Sequence, residues 1–391
     1  MTVRLASRMG RLGTETAFEV LVRARALEAQ GRDVIHVEVG EPDFDTPENI
    51  IRAGQEALAS GWTHYGPANG DPQLREAITA YINGHRKTAF TPDQVVVTPG
   101  GKPIMFFLML ALLEEGDEAI YPDPGFPIYE SMINFSGATP VPIKLREENQ
   151  FRLDVEELRG LVTEKTKLLI INSPANPTGG VLTREDIEAI AQIAIENDIT
   201  VMSDEIYAEL LYDGEHVSIA SLPGMAERTV ILDGFSKTYA MTGWRLGYGL
   251  FPKDLAPLIA KLAVNSVSCT SVAVQRAGLE ALTGPQDKVA EFREAFRKRR
   301  DLVVGRLNQI DGVSCVMPAG AFYAFPNITG TGLTSREFAD SYLQDYGVAA
   351  IAGTSFGAAG EGYVRLSTAN SETNLNKALD RMEALVADLR K

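Results

Sequence analysis

Between residues 93 and 251 the chain alternates short, wholly apolar runs with longer amphipathic stretches. Runs of that kind suit strands covered on both faces, and a mostly parallel sheet with helices on each side buries them so. The pattern predicts strands at 94–98, 118–121, 167–172, 200–203, 229–233 and 245–250. One helix start is readable at Thr183, an N-cap with Asp186 three residues on and Ile187, Ile190, Ala191 and Ala194 at helical spacing behind it. Another is read at Thr334, where Glu337 completes a capping box ahead of Phe338 and Tyr342. Beyond about Pro285 the pattern changes: a long charged helix over 286–307 precedes short runs at 314–317, 321–326 and 364–367, which predicts a smaller α+β unit.

A chain of 391 residues exceeds the size at which one core stops growing, and 45% hydrophobic residues suffice to fill two. The expected fold is therefore α/β: a large domain over 46–284 with a mostly parallel sheet between helices, and a smaller α+β domain built from 1–45 and 285–391. There is no repeat and no low-complexity linker, so the domains are expected to pack closely and to hold a ligand in the cleft between them. The 37 Lys+Arg against 52 Asp+Glu give a net charge of −15, which disfavours nucleic acid or an anionic membrane as partner. Only Cys269 and Cys315 are present, without metal-ligand spacing, and His36, His64, His85 and His216 are scattered, so no disulfide framework and no metal site is expected. Residues 1–10 lack the apolar run of a signal peptide and the longest apolar stretch, 104–113, is too short to span a bilayer. The expected location is the cytoplasm.

The most telling segment runs Ser236-Lys237-Thr238-Tyr239-Ala240-Met241-Thr242-Gly243-Trp244-Arg245. A lysine kept neutral in a poorly solvated pocket can form a Schiff base with a carbonyl, while an arginine and a serine hydroxyl hold a phosphate dianion. The pair suits a cofactor with both an aldehyde and a phosphate, and pyridoxal 5'-phosphate is the candidate. Other residues fall at the carboxyl ends of predicted strands, where open parallel sheets bind ligands. Asp204 could pair with a protonated pyridine nitrogen, and Tyr207 and Asn176 could share the ring's phenolate oxygen. Gly101 and Lys102 precede a helix whose start offers backbone N–H groups to a phosphate, and Phe126 could stack on the ring. Each of these, alone, also fits a plainer role: a helix-capping carboxylate, an Asx turn, a core aromatic.

Taken in order the motifs resemble the class I/II aminotransferases, fold-type I pyridoxal-phosphate enzymes of the aspartate aminotransferase type. The resemblance runs from Val39-Gly40-Glu41-Pro42-Asp43-Phe44-Asp45-Thr46-Pro47 to Gly362-Tyr363-Val364-Arg365-Leu366-Ser367. It implies that Lys237 carries the cofactor's Schiff base and moves the substrate proton, that Asp204 pairs with the ring nitrogen, and that Tyr207 and Asn176 bind the phenolate oxygen. Gly101 and Lys102 (through their backbone), Ser236 and Arg245 would hold the phosphate, and Phe126 would cover the ring. Arg365 would clamp the substrate α-carboxylate, with Gly40 close by and Asn176 also in reach of the substrate. Tyr65, in His64-Tyr65-Gly66-Pro67-Ala68-Asn69-Gly70, would reach the phosphate of a neighbouring subunit, so a homodimer with shared sites is implied. Pro103 departs from the pattern, since family members commonly carry an N–H there; proline is comfortable in a first helical turn.

The implied activity is ping-pong transfer of an amino group from an L-amino acid, of aspartate or alanine type or with broad range, to a 2-oxo acid such as 2-oxoglutarate. A β-lyase or an aminocyclopropane-carboxylate-synthase-like enzyme would use the same cofactor and many of the same motifs. A non-catalytic ligand-sensing module is a third alternative, disfavoured because the resemblance leaves no room for a DNA-binding segment. No arginine lies between Leu262 and Gln275, where dicarboxylate-specific members often supply one from the partner; Lys261 and Arg276 flank the gap. Phe18, Asn69 and Ser268 are the candidates for the side-chain pocket.

Overall fold

The computed structural model describes residues 3–391. Its strands are β1 (Ile35–His36), β2 (Val95–Thr98), β3 (Glu118–Asp123), β4 (Thr139–Lys144), β5 (Thr166–Asn172), β6 (Thr200–Asp204), β7 (Thr229–Gly234), β8 (Gly247–Leu250), β9 (Tyr323–Ala324), β10 (Val348–Ala349), β11 (Ile351–Ala352) and β12 (Val364–Ser367). Seven of them form one sheet in the order β2-β8-β7-β6-β5-β3-β4. All its pairings are parallel except those of β8, which runs against both β2 and β7. Successive side chains leave a strand on opposite faces. Leu168 and Ile170 accordingly join a core with the helices Lys102–Leu112, Ile128–Ser136 and Ala256–Ser266, while Leu169 and Ile171 join another with the helix Arg184–Glu196.

The capping boxes form as expected. Thr183 Oγ1 accepts from the Asp186 N–H at 3.2 Å and Asp186 accepts from the Thr183 N–H at 2.9 Å, and Thr334 and Glu337 repeat the exchange. The long charged helix is Asp287–Leu307. Phe292 and Phe296 on it pack with Tyr207 and Phe322, while Val303, Val304 and Leu307 enter a separate core with Ile35, Val37, Phe338, Leu366 and Met382. Residues from both ends of the chain thus share one core, tied further by the parallel pairing of β1 with β10.

Several expectations need correction. The strand expected at 245–250 starts at Gly247, because Arg245 sits in a left-handed conformation (φ 55°) at the end of a 3-10 turn. β4 was not anticipated: Pro140 and Pro142 remove ladder donors, and the strand is tolerated as the sheet's edge, paired on one side alone. The run at 314–317 makes only an isolated bridge, Ser314 to Asn327, and the run at 321–326 contracts to β9.

Beside the strand ends, Arg86 closes the helix Pro72–Arg86 and is buried among carboxylates. Its guanidinium reaches Glu205 at 3.0 Å, Glu209 at 2.9 Å and Asp233 at 3.5 Å, while His216 and Ser218 contact Glu205 at 3.1 and 2.6 Å. Burial alone would raise Glu205, but His216, Arg86 and Ser218 outweigh it and hold it at about 2; at Asp233 burial prevails over Arg86 and holds it at about 7. Removing the cation strands buried negative charge, so Arg86→Met is expected to cost about 3–5 kcal/mol. Urea unfolding at neutral pH checks this, and a loss under about 1 kcal/mol would mean that the carboxylates are satisfied without Arg86.

Candidate active site

The register of the sheet brings the expected site residues to one place. Asn172 at the end of β5 pairs with Asp204 at the end of β6, and Gly234 at the end of β7 pairs with Gly247 at the start of β8, which pairs in turn with Thr98 at the end of β2. Because β8 runs backwards, the segment entering it comes from the same edge at which its neighbours finish. Lys237, Arg245 and the Gly100-Gly101-Lys102 turn are therefore neighbours in space. They open into a cavity of about 500 Å³, also lined by Gly40, Phe126, Asn176, Tyr207, Ser236, Tyr323 and Arg365.

Lys237 is half-buried; its Nζ donates to the Gly40 carbonyl and lies 5.8 Å from the centre of the Phe322 ring. Burial, aided by the nearby cations Arg365 and Arg245 and opposed by Glu41 and Glu15, lowers this amine to about 8. Arg245 donates to the Thr242 carbonyl at 2.7 Å. Its guanidinium lies where a Cβ on residue 100 would sit, so the φ of +89° and the close approach both require Gly100. Gly101 caps the helix Lys102–Leu112, and neither the Gly101 nor the Lys102 N–H donates to another described residue. Pro103 takes the second position of that helix, where no intrahelical donor is needed.

Asp204 is buried, accepting from the Tyr129 hydroxyl at 2.6 Å and from the Ile206 N–H at 3.3 Å. Burial raises it to about 6 against the pull of those hydrogen bonds, so a cation placed beside it would be strongly favoured. Asn172 donates to the Asp204 carbonyl at 3.0 Å and accepts from the Asn176 N–H at 2.8 Å. The Asn176 side-chain oxygen accepts from Arg365 Nη1 at 3.0 Å, and its NH2 donates to no other described residue. Arg365 is buried between Tyr323 and Phe356, 4.5 and 4.8 Å from their ring centres; its Nη2 donates to the Glu38 carbonyl and its Nε has no partner among the described residues. A buried guanidinium with a free donor is arranged for an anion from outside the protein. Tyr207 shares a hydrogen bond of 2.7 Å with Tyr323, whose hydroxyl fills the space a side chain at Gly40 would need.

Not every candidate converges. Tyr65 is 89% exposed and does not line this chain's own cavity. Asn69 and Ser268 do not line it either: Asn69 accepts from the Val97 N–H through its carbonyl, and Ser268 is exposed. Of the side-chain pocket candidates only Phe18 reaches the cavity. Arg276 is held at the surface by Gln73 and by stacking on Trp62, 4.6 Å away. Sequence reasoning missed Tyr129, Asn172, Tyr323 and Glu15. Asn172 ends a predicted strand and Tyr129 lies three residues past Phe126, but no local pattern says that either touches Asp204.

Among the described residues no His, Cys, Asp and Glu cluster could hold a metal ion, and no helix is long and apolar enough to cross a membrane. Residues 32–382 match the family described as aminotransferase class I and II. The chain is 45% identical to an aspartate aminotransferase of Pyrococcus abyssi, over 91% of this chain and 92% of that one. It is 42% identical to aromatic-amino-acid aminotransferase 2 of Thermococcus litoralis, over 92% and 94%. The solved aspartate aminotransferase of Thermus thermophilus superimposes with a TM-score of 0.95 at 39% identity, covering 98% of this chain and 100% of that one. Family match, near-complete coverage and common fold agree: this chain belongs to the class I and II aminotransferases, which work with pyridoxal phosphate.

Proposed function

We propose that the chain moves the amino group of an L-amino acid to a 2-oxo acid in two half-reactions at one site, with Lys237 as the residue that binds the cofactor and shuttles the proton. The observation that carries this reading is the enclosure of a low-pKa amine, Lys237, in one cavity with the buried carboxylate of Asp204 and the open guanidinium of Arg365.

The donor set fits pyridoxal phosphate. Arg245, the Ser236 hydroxyl and the two free N–H groups of Gly101 and Lys102 suit its phosphate, Asp204 its ring nitrogen, the Tyr207 hydroxyl and Asn176 amide its phenolate oxygen, and Phe126 its face. When bound, the cofactor supplies an aldehyde and an electron-withdrawing ring that loosens the Cα–H bond of an amino acid joined to it. Asp204, fixed by Tyr129, keeps the ring nitrogen protonated by charge. Arg365 holds the substrate α-carboxylate. The Lys237 amine would be the base that takes the proton from the substrate Cα and, once protonated, the acid that delivers it to the cofactor's aldehyde carbon and not back to Cα.

In the same reading residues 46–284 form the cofactor-binding domain and the two ends of the chain the small domain. Tyr65, exposed here, serves the site of a second copy in a homodimer, and the enzyme works in the cytoplasm. Relatives named for aspartate and for aromatic amino acids support L-amino acid donors of those types.

The test is a single half-reaction. Holoenzyme mixed with an L-amino acid and no 2-oxo acid is expected to pass from the pyridoxal to the pyridoxamine absorbance with one equivalent of 2-oxo acid released per site. Continuous ammonia release with the pyridoxal form retained would instead mark a lyase.

A further inference from the structure

Four cationic side chains line the cavity, and three have a task in the proposed reading: Lys237, Arg245 and Arg365. The fourth, Lys102, is the one already held in an ion pair, its Nζ donating to Glu15. Glu15 is the N-cap of the helix Thr16–Glu28, which sets it at the cavity wall beside Thr16, Ala17 and Phe18. Its side chain is only 19% exposed against 47% for Lys102, so the carboxylate is the more enclosed member of the pair. The ammonium also lies near two rings, 6.0 Å from the centre of Phe18 and 5.7 Å from that of Phe126. The remaining acid on the wall besides Asp204, Glu41, accepts from the Thr242 hydroxyl.

This part of the wall therefore presents a neutralised lysine, two carboxylates and two aromatic rings. A substrate with one carboxylate can give it to Arg365 and lay an uncharged side chain along Phe18 and Phe126 without breaking any contact. Among the described residues of this chain, a second carboxylate finds no free cation on the wall. It must either face Glu15 or displace it from Lys102, and like charge or an orphaned carboxylate is the cost. We propose that the Glu15–Lys102 pair sets the side-chain selectivity of this enzyme, favouring uncharged apolar or aromatic substrates over dicarboxylates. The proposal rests on the placement of the α-carboxylate at Arg365. It ranks monocarboxylic 2-oxo acids above 2-oxoglutarate as acceptors, and uncharged donors above aspartate.

Binding of substrate-shaped acids that lack an amino group tests it without turnover. Succinate and 3-phenylpropanoate are titrated into holoenzyme and followed through the cofactor's visible absorbance. The wild type is expected to hold 3-phenylpropanoate more tightly. Glu15→Gln frees Lys102 and should tighten succinate about tenfold relative to 3-phenylpropanoate, and adding Lys102→Met should abolish that gain. In turnover the aspartate to phenylalanine ratio of kcat/KM should rise by a similar factor in Glu15→Gln. Tighter succinate binding by the wild type, an unchanged ratio in Glu15→Gln, or a gain that survives Lys102→Met would each overturn the proposal. If no amino acid reduces the pyridoxal form in any variant, the transaminase reading fails, while the two binding titrations still decide the role of the pair.

Discussion

Lys237→Ala is expected to lower kcat by about 10⁴-fold or more, because in the proposed function Lys237 is both the covalent anchor of the cofactor and the group that moves the Cα proton. The fold should survive. Lys237 Nζ contributes one donated hydrogen bond, to the Gly40 carbonyl, and the apolar residues on either side, Phe235 and Tyr239, stay in their core. Unfolding of the variant close to the wild-type midpoint would establish that the loss is chemical. Borohydride reduction of the wild-type holoenzyme followed by peptide mapping should find the pyridoxyl group on Lys237. Finding it on Lys102, at the same cavity, or on Lys261 would transfer the role to that residue.

The amine also makes a pH signature. Burial, with Arg365 and Arg245 nearby, lowers Lys237 to about 8. The neutral amine is the form that attacks an aldehyde, and its fraction at pH 7 is about a tenth, against about one in 2,500 for an ordinary lysine. The rate at which apoenzyme takes up pyridoxal phosphate should climb with pH through about 8 and then level, whereas an unperturbed lysine would still be climbing at pH 10.

The sequence and the fold agree where local chemistry is decisive. The capping residues Thr183 and Thr334, the apolar strands β5 to β7 and the long helix ending at Leu307 are all legible, because each is set by a spacing of a few residues. β4 was hidden by its prolines, and the direction of β8 could not be read at all. An antiparallel strand buried on both faces carries the same apolar pattern as a parallel one, and only its partners differ. The site divides along the same line. Lys237, Asp204 and Arg365 stood out as charged residues in or beside strand ends. Tyr129 and Tyr323 did not, since a buried tyrosine announces itself only as an aromatic, and its hydrogen bond is made to a residue far away in the chain. Glu15 was concealed for a further reason: a glutamate ahead of a helix reads as an ordinary helix-start residue until the helix is docked against Lys102.

With the α-carboxylate placed at Arg365 as proposed, Arg365→Lys separates recognition of the common part of every substrate from recognition of its side chain. The guanidinium is fixed by Asn176 at 3.0 Å, by the Glu38 carbonyl and by the faces of Tyr323 and Phe356, which leaves Nε free for an incoming anion. An ammonium keeps the charge but cannot hold those partners and a carboxylate fork at once. The expected result is a fall in kcat/KM of about 10- to 100-fold, equal for alanine, phenylalanine and aspartate, since all present the same α-carboxylate. Uniformity is the discriminating feature. Glu15→Gln, by contrast, should reorder the donors, because it acts on a group that only some of them carry. If Arg365→Lys instead impaired aspartate selectively and spared alanine, the arginine would be reading the distal carboxylate. The substrate would then lie the other way round in the cavity, with its α-carboxylate on the side of Lys102, and the selectivity assigned to Glu15 would pass to Arg365.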